Sequence, residues 1–155
     1  MVYLSLTAAV IVICYTVAMC LKKKAIPESL SQTVFLLSRK SQWMFGAVMI
    51  VCGVLFGIVM IDKSSENTQF LAFLTLAALC GVGVTPLFNT DTHKAHYACA
   101  IVAGLLSALL IAINKPLFLF PWVGYVFYTL LTDDQSETFW CEATCFVSIL
   151  LYCLF

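Results

Sequence analysis

The sequence predicts an all-α protein, a polytopic bundle of transmembrane helices, and three observations carry that prediction. Of 155 residues 63% are hydrophobic and 10% charged, with a mean hydropathy of +1.02, a balance that soluble domains do not need. The charges leave apolar stretches at about 2–21, 43–61, 70–88, 96–113, 116–131 and 139–155, and a hydrocarbon core about 30 Å thick takes roughly 20 helical residues to cross. Small residues recur along these stretches at the spacing by which membrane helices approach one another. The same composition excludes other classes. Eight basic residues balance eight acidic ones without forming a stripe with interleaved aromatics, so no nucleic acid is expected as a partner. The eight cysteines fall almost wholly inside the apolar stretches, where cysteine acts as a small hydrophobe rather than as part of a disulfide framework.

The first stretch has no positive region before it and no small-residue cleavage site, and Lys22, Lys23 and Lys24 follow it directly. It reads as a retained helix rather than a signal peptide. Residues 25–38 are too few to cross and too apolar for an open loop. Pro27 can open a helix, and Ile26, Leu30, Val34 and Leu37 recur on one face with Glu28, Ser31 and Gln32 off it, which predicts a short interfacial helix. Lys22, Lys23, Lys24, Arg39 and Lys40 flank it, and near an anionic leaflet each basic residue adds about 1 kcal/mol of attraction.

The second stretch carries Gly46, Gly53 and Gly57; the third Ala77, Ala78, Gly81 and Gly83; the fourth Ala100, Ala103, Gly104, Ser107 and Ala108. Pro121 interrupts the start of the fifth, the shortest stretch, so five spans are the alternative to six. With six, residues 1–155 form one transmembrane domain. The loops after the odd-numbered helices then hold Lys22, Lys23, Lys24, Arg39, Lys40 and Lys94, against Lys63 and Lys115 on the other side. Six against two predicts cytoplasmic odd loops, both termini outside, and a multi-pass protein of the cell membrane. Asp133, Asp134 and Glu137 share the odd side but weigh little in this rule.

Glu142 is the carboxylate placed inside an apolar run, where an unpaired charge costs several kcal/mol, so it should face the bundle and find a partner. His96 heads the small-residue face of the fourth stretch, with Ala100, Ala103, Gly104 and Ser107 following it, and should point inward as well. Asp91 can cap that helix, with His93 at the interface. The chain has only two histidines, and Cys141 and Cys145 lack a second pair to complete a site, so neither metal nor cofactor is expected. Ser29, Ser31, Gln32 and Thr33 belong to the first loop, Asp91, His93 and His96 to the third, and Glu142 follows the fifth. All these polar groups emerge at one membrane face.

Ser29, Ser31, Thr33, Asp91, His93, His96 and Glu142 can therefore line a pocket for the head group of a membrane lipid, an anionic one given the flanking lysines and Arg39. The expected role is then non-enzymatic lipid interaction or regulation. The same parts make a nucleophilic site, with His96 as base, Ser31 or Thr33 as nucleophile and Glu142 orienting the imidazole, which would be a lipid hydrolase or acyltransferase. A carrier or channel is a further alternative, though the spans have no charged lining and no broken helices in matching halves.

Leu30-Ser31-Gln32-Thr33, Met44-Phe45-Gly46-Ala47-Val48, Ala95-His96-Tyr97 and Cys141-Glu142 resemble the frag/DRAM group of six-helix membrane proteins. That group includes damage-regulated autophagy modulators, a GPI-lipid remodelling factor and many bacterial relatives; the chain is also similar to small membrane proteins of bacteria and phages. The resemblance implies six helices in this order. The family's loop reads closer to Ile-Ser-Asp-Thr-Gly, with an aromatic after the glutamate, where this chain has Gln32, Val34 and Ala143. Animal members place that loop outside the cytoplasm; the lysine count here sets the opposite orientation.

Overall fold

The computed structural model describes residues 1–85, 91–132 and 135–155. Its helices are α1 (Val2–Lys23), α2 (Trp43–Lys63), α3 (Gln69–Val84), α4 (His93–Asn114), α5 (Phe120–Leu131) and α6 (Glu137–Leu154), with no strand among the described residues. Among the described residues, four helical stretches are long and apolar enough to cross a membrane: Val2–Lys23, Arg39–Lys63, His93–Asn114 and Glu137–Leu154. The other two are shorter. α3 has 16 residues and reaches about 24 Å at 1.5 Å per residue; the rest of the expected 70–88 stretch, beyond Thr85, lies outside the described residues. The fifth stretch divides into a 3₁₀ turn, Pro116–Leu119, and the 12-residue α5.

α1 shows how a membrane bundle inverts the usual amphipathic rule. Tyr3, Leu6, Val10, Ile13, Val17 and Leu21 recur at helical spacing on its exposed side, whereas Ser5, Ala8, Ala9, Tyr15 and Met19 are buried. Lipid tails solvate leucine as well as a protein core does, so the inward face is chosen for close approach and hydrogen bonding instead. α2 and α3 carry this furthest. A methyl on Gly46 would come 2.5 Å from the Gly83 carbonyl oxygen, and one on Gly83 would come 2.7 Å from that of Gly46, so only glycine lets these two backbones touch. Gly53 and Gly57 face Leu79 and Leu76 of α3, so the small-xxx-small spacing read in the sequence serves the α2–α3 contact.

α6 is the hub, packed against α1, α2, α4 and α5, while α3 bridges α2 and α4. One buried cluster gathers Phe56, Met60, Leu110, Ile149 and Tyr152 toward the end where α2 and α6 finish. A second gathers Tyr15, Leu30, Val34, Phe45 and Phe139 beneath the α1–α2 loop. α5 has no buried residue and presents Val123, Val126, Phe127, Leu130 and Leu131 outward.

Two expectations about local structure are corrected. The segment 25–38 is not an amphipathic α-helix. After a turn around Pro27 it forms a 3₁₀ helix, Ser31–Leu36, and a shorter one, Arg39–Ser41. Its own hydroxyls compete with the α-ladder: Ser29 Oγ accepts from the Gln32 N–H at 3.0 Å, and Thr33 Oγ1 donates to the Leu30 carbonyl at 2.5 Å. The segment tucks into the bundle mouth, so Ser31, expected on its polar outer side, is buried with Leu30, Thr33 and Val34. In addition, α4 starts at His93, and its N-cap residue is Thr92, without a side-chain cap bond, rather than Asp91. His96 thereby moves one turn inside the helix.

Candidate functional site

The site is built where the α1–α2 loop meets the starts of α4 and α6 and the end of α3. The first turn of a helix leaves N–H groups without intrahelical acceptors. In α6 the loop supplies one, for the Phe139 N–H donates to the Glu28 carbonyl at 2.9 Å. One turn further on, the Glu142 carboxylate reaches back. The Leu30 N–H donates to its Oε2 at 2.5 Å, and its Oε1 lies 3.3 Å from Ser31 Oγ. Ser31 Oγ is in turn 2.9 Å from His96 Nε2, and His96 Nδ1 is 2.7 Å from the carbonyl oxygen of Thr85, at the end of α3.

The proton inventory of this chain is constrained. A carbonyl oxygen only accepts, so Nδ1 carries a hydrogen. With a neutral imidazole, Nε2 accepts a hydrogen bond from the Ser31 hydroxyl, whose oxygen then faces Glu142 Oε1. With an imidazolium, Nε2–H donates to Ser31, whose proton goes to the carboxylate. In both arrangements the Ser31 hydroxyl stands between His96 and Glu142 and gives its one hydrogen to one of them.

The surroundings are buried and aromatic. His96 and Thr33 are fully buried, the Phe45 and Tyr97 rings lie 6.1 and 6.0 Å from the imidazole, and Tyr15 packs 6.2 Å from Phe45. Thr33 spends its proton on the Leu30 carbonyl, so in the 2.8 Å contact between Tyr15 Oη and Thr33 Oγ1 the tyrosine donates.

Three spaces adjoin this network. A cavity of about 60 Å³ lies inside the bundle, with Ser31, Glu142 and Ser107 as its polar walls and Phe45, Ala103 and Phe146 among its apolar ones. A groove of about 190 Å³ runs between α1 and α6, lined by Val12, Thr16, Leu30, Phe139, Ala143 and Phe146. A cleft of about 490 Å³ opens beside α2 and the end of α3, with Arg39 and Gln42 as its polar residues above Trp43, Phe45, Ile50 and Val84.

Of the sequence-predicted residues, Ser31, His96 and Glu142 come together. His96 and Glu142 do not touch each other; Ser31 bridges them. Glu142 therefore does not orient the imidazole, and the Thr85 carbonyl does. Ser29 serves its own turn and Thr33 the Tyr15 contact. Asp91 is exposed, and His93 stacks edge-on against Tyr97 with the ring centres 6.5 Å apart. Lys22, Lys23, Lys24, Arg39 and Lys40 are all exposed around the loop, and Asp133 and Asp134 lie outside the described residues. Sequence reasoning missed Thr85 and the Leu30 N–H, since backbone groups leave no trace in residue identity. Tyr15 was legible only as a polar atom inside an apolar helix. Among the described residues no group of three or more His, Cys, Asp or Glu is placed to hold a metal ion.

A second polar cluster closes the opposite end of the bundle. Ser64 Oγ donates to the Met60 carbonyl at 2.5 Å and so accepts from Tyr152 Oη at 3.0 Å. Asn114 Nδ2 donates to the Leu110 carbonyl at 2.9 Å and to Thr68 Oγ1 at 3.1 Å. Lys115 Nζ sits 5.2 Å from the centre of the Tyr152 ring. Burial, followed by the like charge of Lys63, holds its ammonium below the usual lysine range. Comparison of the chain with protein-family models, with curated proteins and with solved structures returns no match.

Proposed function

We propose that the protein is a multi-pass protein of the cell membrane that interacts with lipid, binding an anionic head group at the face of the α1–α2 loop. In this reading all six helices cross, and the six-helix order that the resemblance to the frag/DRAM group implies supports the count. The six basic residues of the odd loops against two on the other side put residues 22–42 and 132–137 in the cytoplasm and both termini outside.

The observation that carries the lipid reading is the cleft of about 490 Å³ beside Trp43. Its walls are apolar at membrane depth and its polar residues, Arg39 and Gln42, stand where the loop meets the interface. That division suits an acyl chain below and a phosphate above: a guanidinium recognises phosphate oxygens with paired, charge-assisted hydrogen bonds, and ligand sites are typically apolar clefts of this size with a few placed polar groups. Trp43, 70% exposed, belongs to the aromatic belt in which indole rings sit at head-group level. Lys22, Lys23, Lys24 and Lys40 add field without contact. The head-group site thus lies at Arg39 and Gln42 rather than at Ser31, His96 and Glu142, whose hydrogen bonds are already spent on one another.

Native mass spectrometry of the purified protein with phosphatidylglycerol and phosphatidylcholine tests this. The wild type should retain phosphatidylglycerol preferentially, and Arg39→Gln combined with Gln42→Ala should reduce that preference about tenfold, equivalent to about 1.4 kcal/mol. Equal retention of the two lipids by the wild type, or an unchanged preference in the double variant, contradicts the proposal.

A further inference from the structure

The geometry points to a reaction as well: we propose that Ser31 is a nucleophile toward the carboxylic ester of a membrane lipid, with His96 as its general base. This goes beyond lipid binding at Arg39 and does not depend on it. The Thr85 carbonyl, 2.7 Å from Nδ1, fixes the ring orientation and leaves Nε2 of the neutral imidazole as an acceptor aimed at Ser31 Oγ, 2.9 Å away. That is the nucleophile–base–orienter arrangement of covalent catalysis, with a backbone carbonyl as the third member. Two structural hydroxyls are available for contrast. Thr33 donates to the Leu30 carbonyl and accepts from Tyr15, and Ser29 accepts from the Gln32 N–H; neither is joined to a base. Of the two nucleophiles the sequence allowed, only Ser31 has one.

The spaces around Ser31 suit an acyl ester delivered from the bilayer. Leu30 and Phe146 line both the groove between α1 and α6 and the inner cavity that Ser31 faces. An acyl chain lying in the groove along Val12 and Ala143 brings its carbonyl end toward the residue next to Ser31. The inner cavity, about 60 Å³, exceeds the roughly 10–15 Å³ that one water needs, and Ser107 and Glu142 offer that water the polar partners it requires. The Leu30 N–H bond to Glu142 holds the loop in register, so Glu142 is a positioning residue here.

In the first half-reaction Ser31 Oγ attacks the ester carbonyl carbon, forming the Oγ–C bond while its proton passes to His96 Nε2. The tetrahedral adduct collapses, the ester C–O bond breaks, and the leaving alkoxide takes the proton from His96. In the second, a cavity water gives its proton to His96 as its oxygen attacks the acyl carbon. The Oγ–C bond then breaks, Ser31 Oγ recovers the proton, and a fatty acid leaves.

A long-chain alkyl fluorophosphonate, which phosphonylates an activated serine, tests the proposal on the full chain in detergent and in mixed phosphatidylglycerol–phosphatidylcholine vesicles. Intact mass should show one adduct, mapped by proteolysis to Ser31, absent in Ser31→Ala, at least tenfold slower to form in His96→Gln, and unchanged in Ser41→Ala. Because the wild type is itself the main test, a variant that fails to fold does not protect the idea. No adduct on the folded wild type, an adduct at another residue, or an unchanged rate in folded His96→Gln overturns it. Since the probe reports on Ser31 and not on retention of anionic lipid, failure here leaves the Arg39 cleft standing.

Discussion

The two ends of the bundle solve one problem with different chemistry. Each must fasten an interhelical loop to α6 and its neighbours where backbone groups run out of helical partners. At the α2–α3 end this is done with neutral groups: Ser64 on Tyr152, and Thr68 on Asn114, with Lys115 resting over an aromatic ring. At the α1–α2 end the fastening consists of a carboxylic group, an imidazole and a hydroxyl shared between them. The neutral staple shows that hydroxyls and amides are enough to close such an end. An acid and a base in a buried network demand complete hydrogen-bond satisfaction and cost more to desolvate, and an ionisable group within an apolar helix is a functional candidate by default. The contrast between two ends of one molecule is what separates the Ser31 network from ordinary loop anchoring.

If that contrast is real, disruption should be more costly at the α1–α2 end. His96→Ala should have the largest effect, about 3 kcal/mol, because it empties a fully buried site and orphans both Ser31 and the Thr85 carbonyl; unfolding in mixed micelles measures it, and a loss under about 1 kcal/mol would mean the ring holds little. Glu142→Ala should follow at about 1–3 kcal/mol for the unsatisfied Leu30 N–H. Glu142→Gln should cost clearly less, since its amide oxygen still accepts from Leu30 and its NH₂ donates to Ser31. Equal losses for the two variants would show that neither hydrogen bond matters. At the other end Tyr152→Phe should cost about 0.5–1.5 kcal/mol, because Ser64 keeps its bond to Met60.

The smallest effect concerns Lys115. Its ammonium is held below the usual range in the folded chain, so the unfolded chain keeps its proton to higher pH. Between the folded value and the ordinary lysine value of about 10.4, the unfolded state binds more protons, and stability rises with pH. Melting temperatures of the wild type and Lys115→Gln, compared across the alkaline range, should diverge slightly in that sense; a wild-type curve that falls relative to the variant would contradict the placement of this lysine.

The helices were legible in the sequence because apolar runs and small-residue spacing report directly on lipid and on close packing. His96 was legible as an inward residue, since Ala103 and Ser107, on the face it heads, are buried with it, and Glu142 as a residue in need of a partner. The α1–α2 loop was misread because apolar spacings of four, four and three look the same whether those residues lie on a membrane or are drawn into a bundle. What decided was the Leu30 N–H being taken by a side chain 112 positions away, together with Ser29 and Thr33 diverting the local backbone. The orienting carbonyl of Thr85 was invisible for the same reason: it belongs to a peptide group that every residue carries.

Amide hydrogen exchange at Leu30, with the protein in phospholipid vesicles, tests most directly whether this loop is folded into the bundle through Glu142. The Leu30 amide should exchange as slowly as amides in the middle of α4 and α6, and should lose that protection in Glu142→Ala while those helical amides keep theirs. Fast exchange at Leu30 in the wild type, at the rate of the exposed neighbours Lys24 and Ala25, would contradict it.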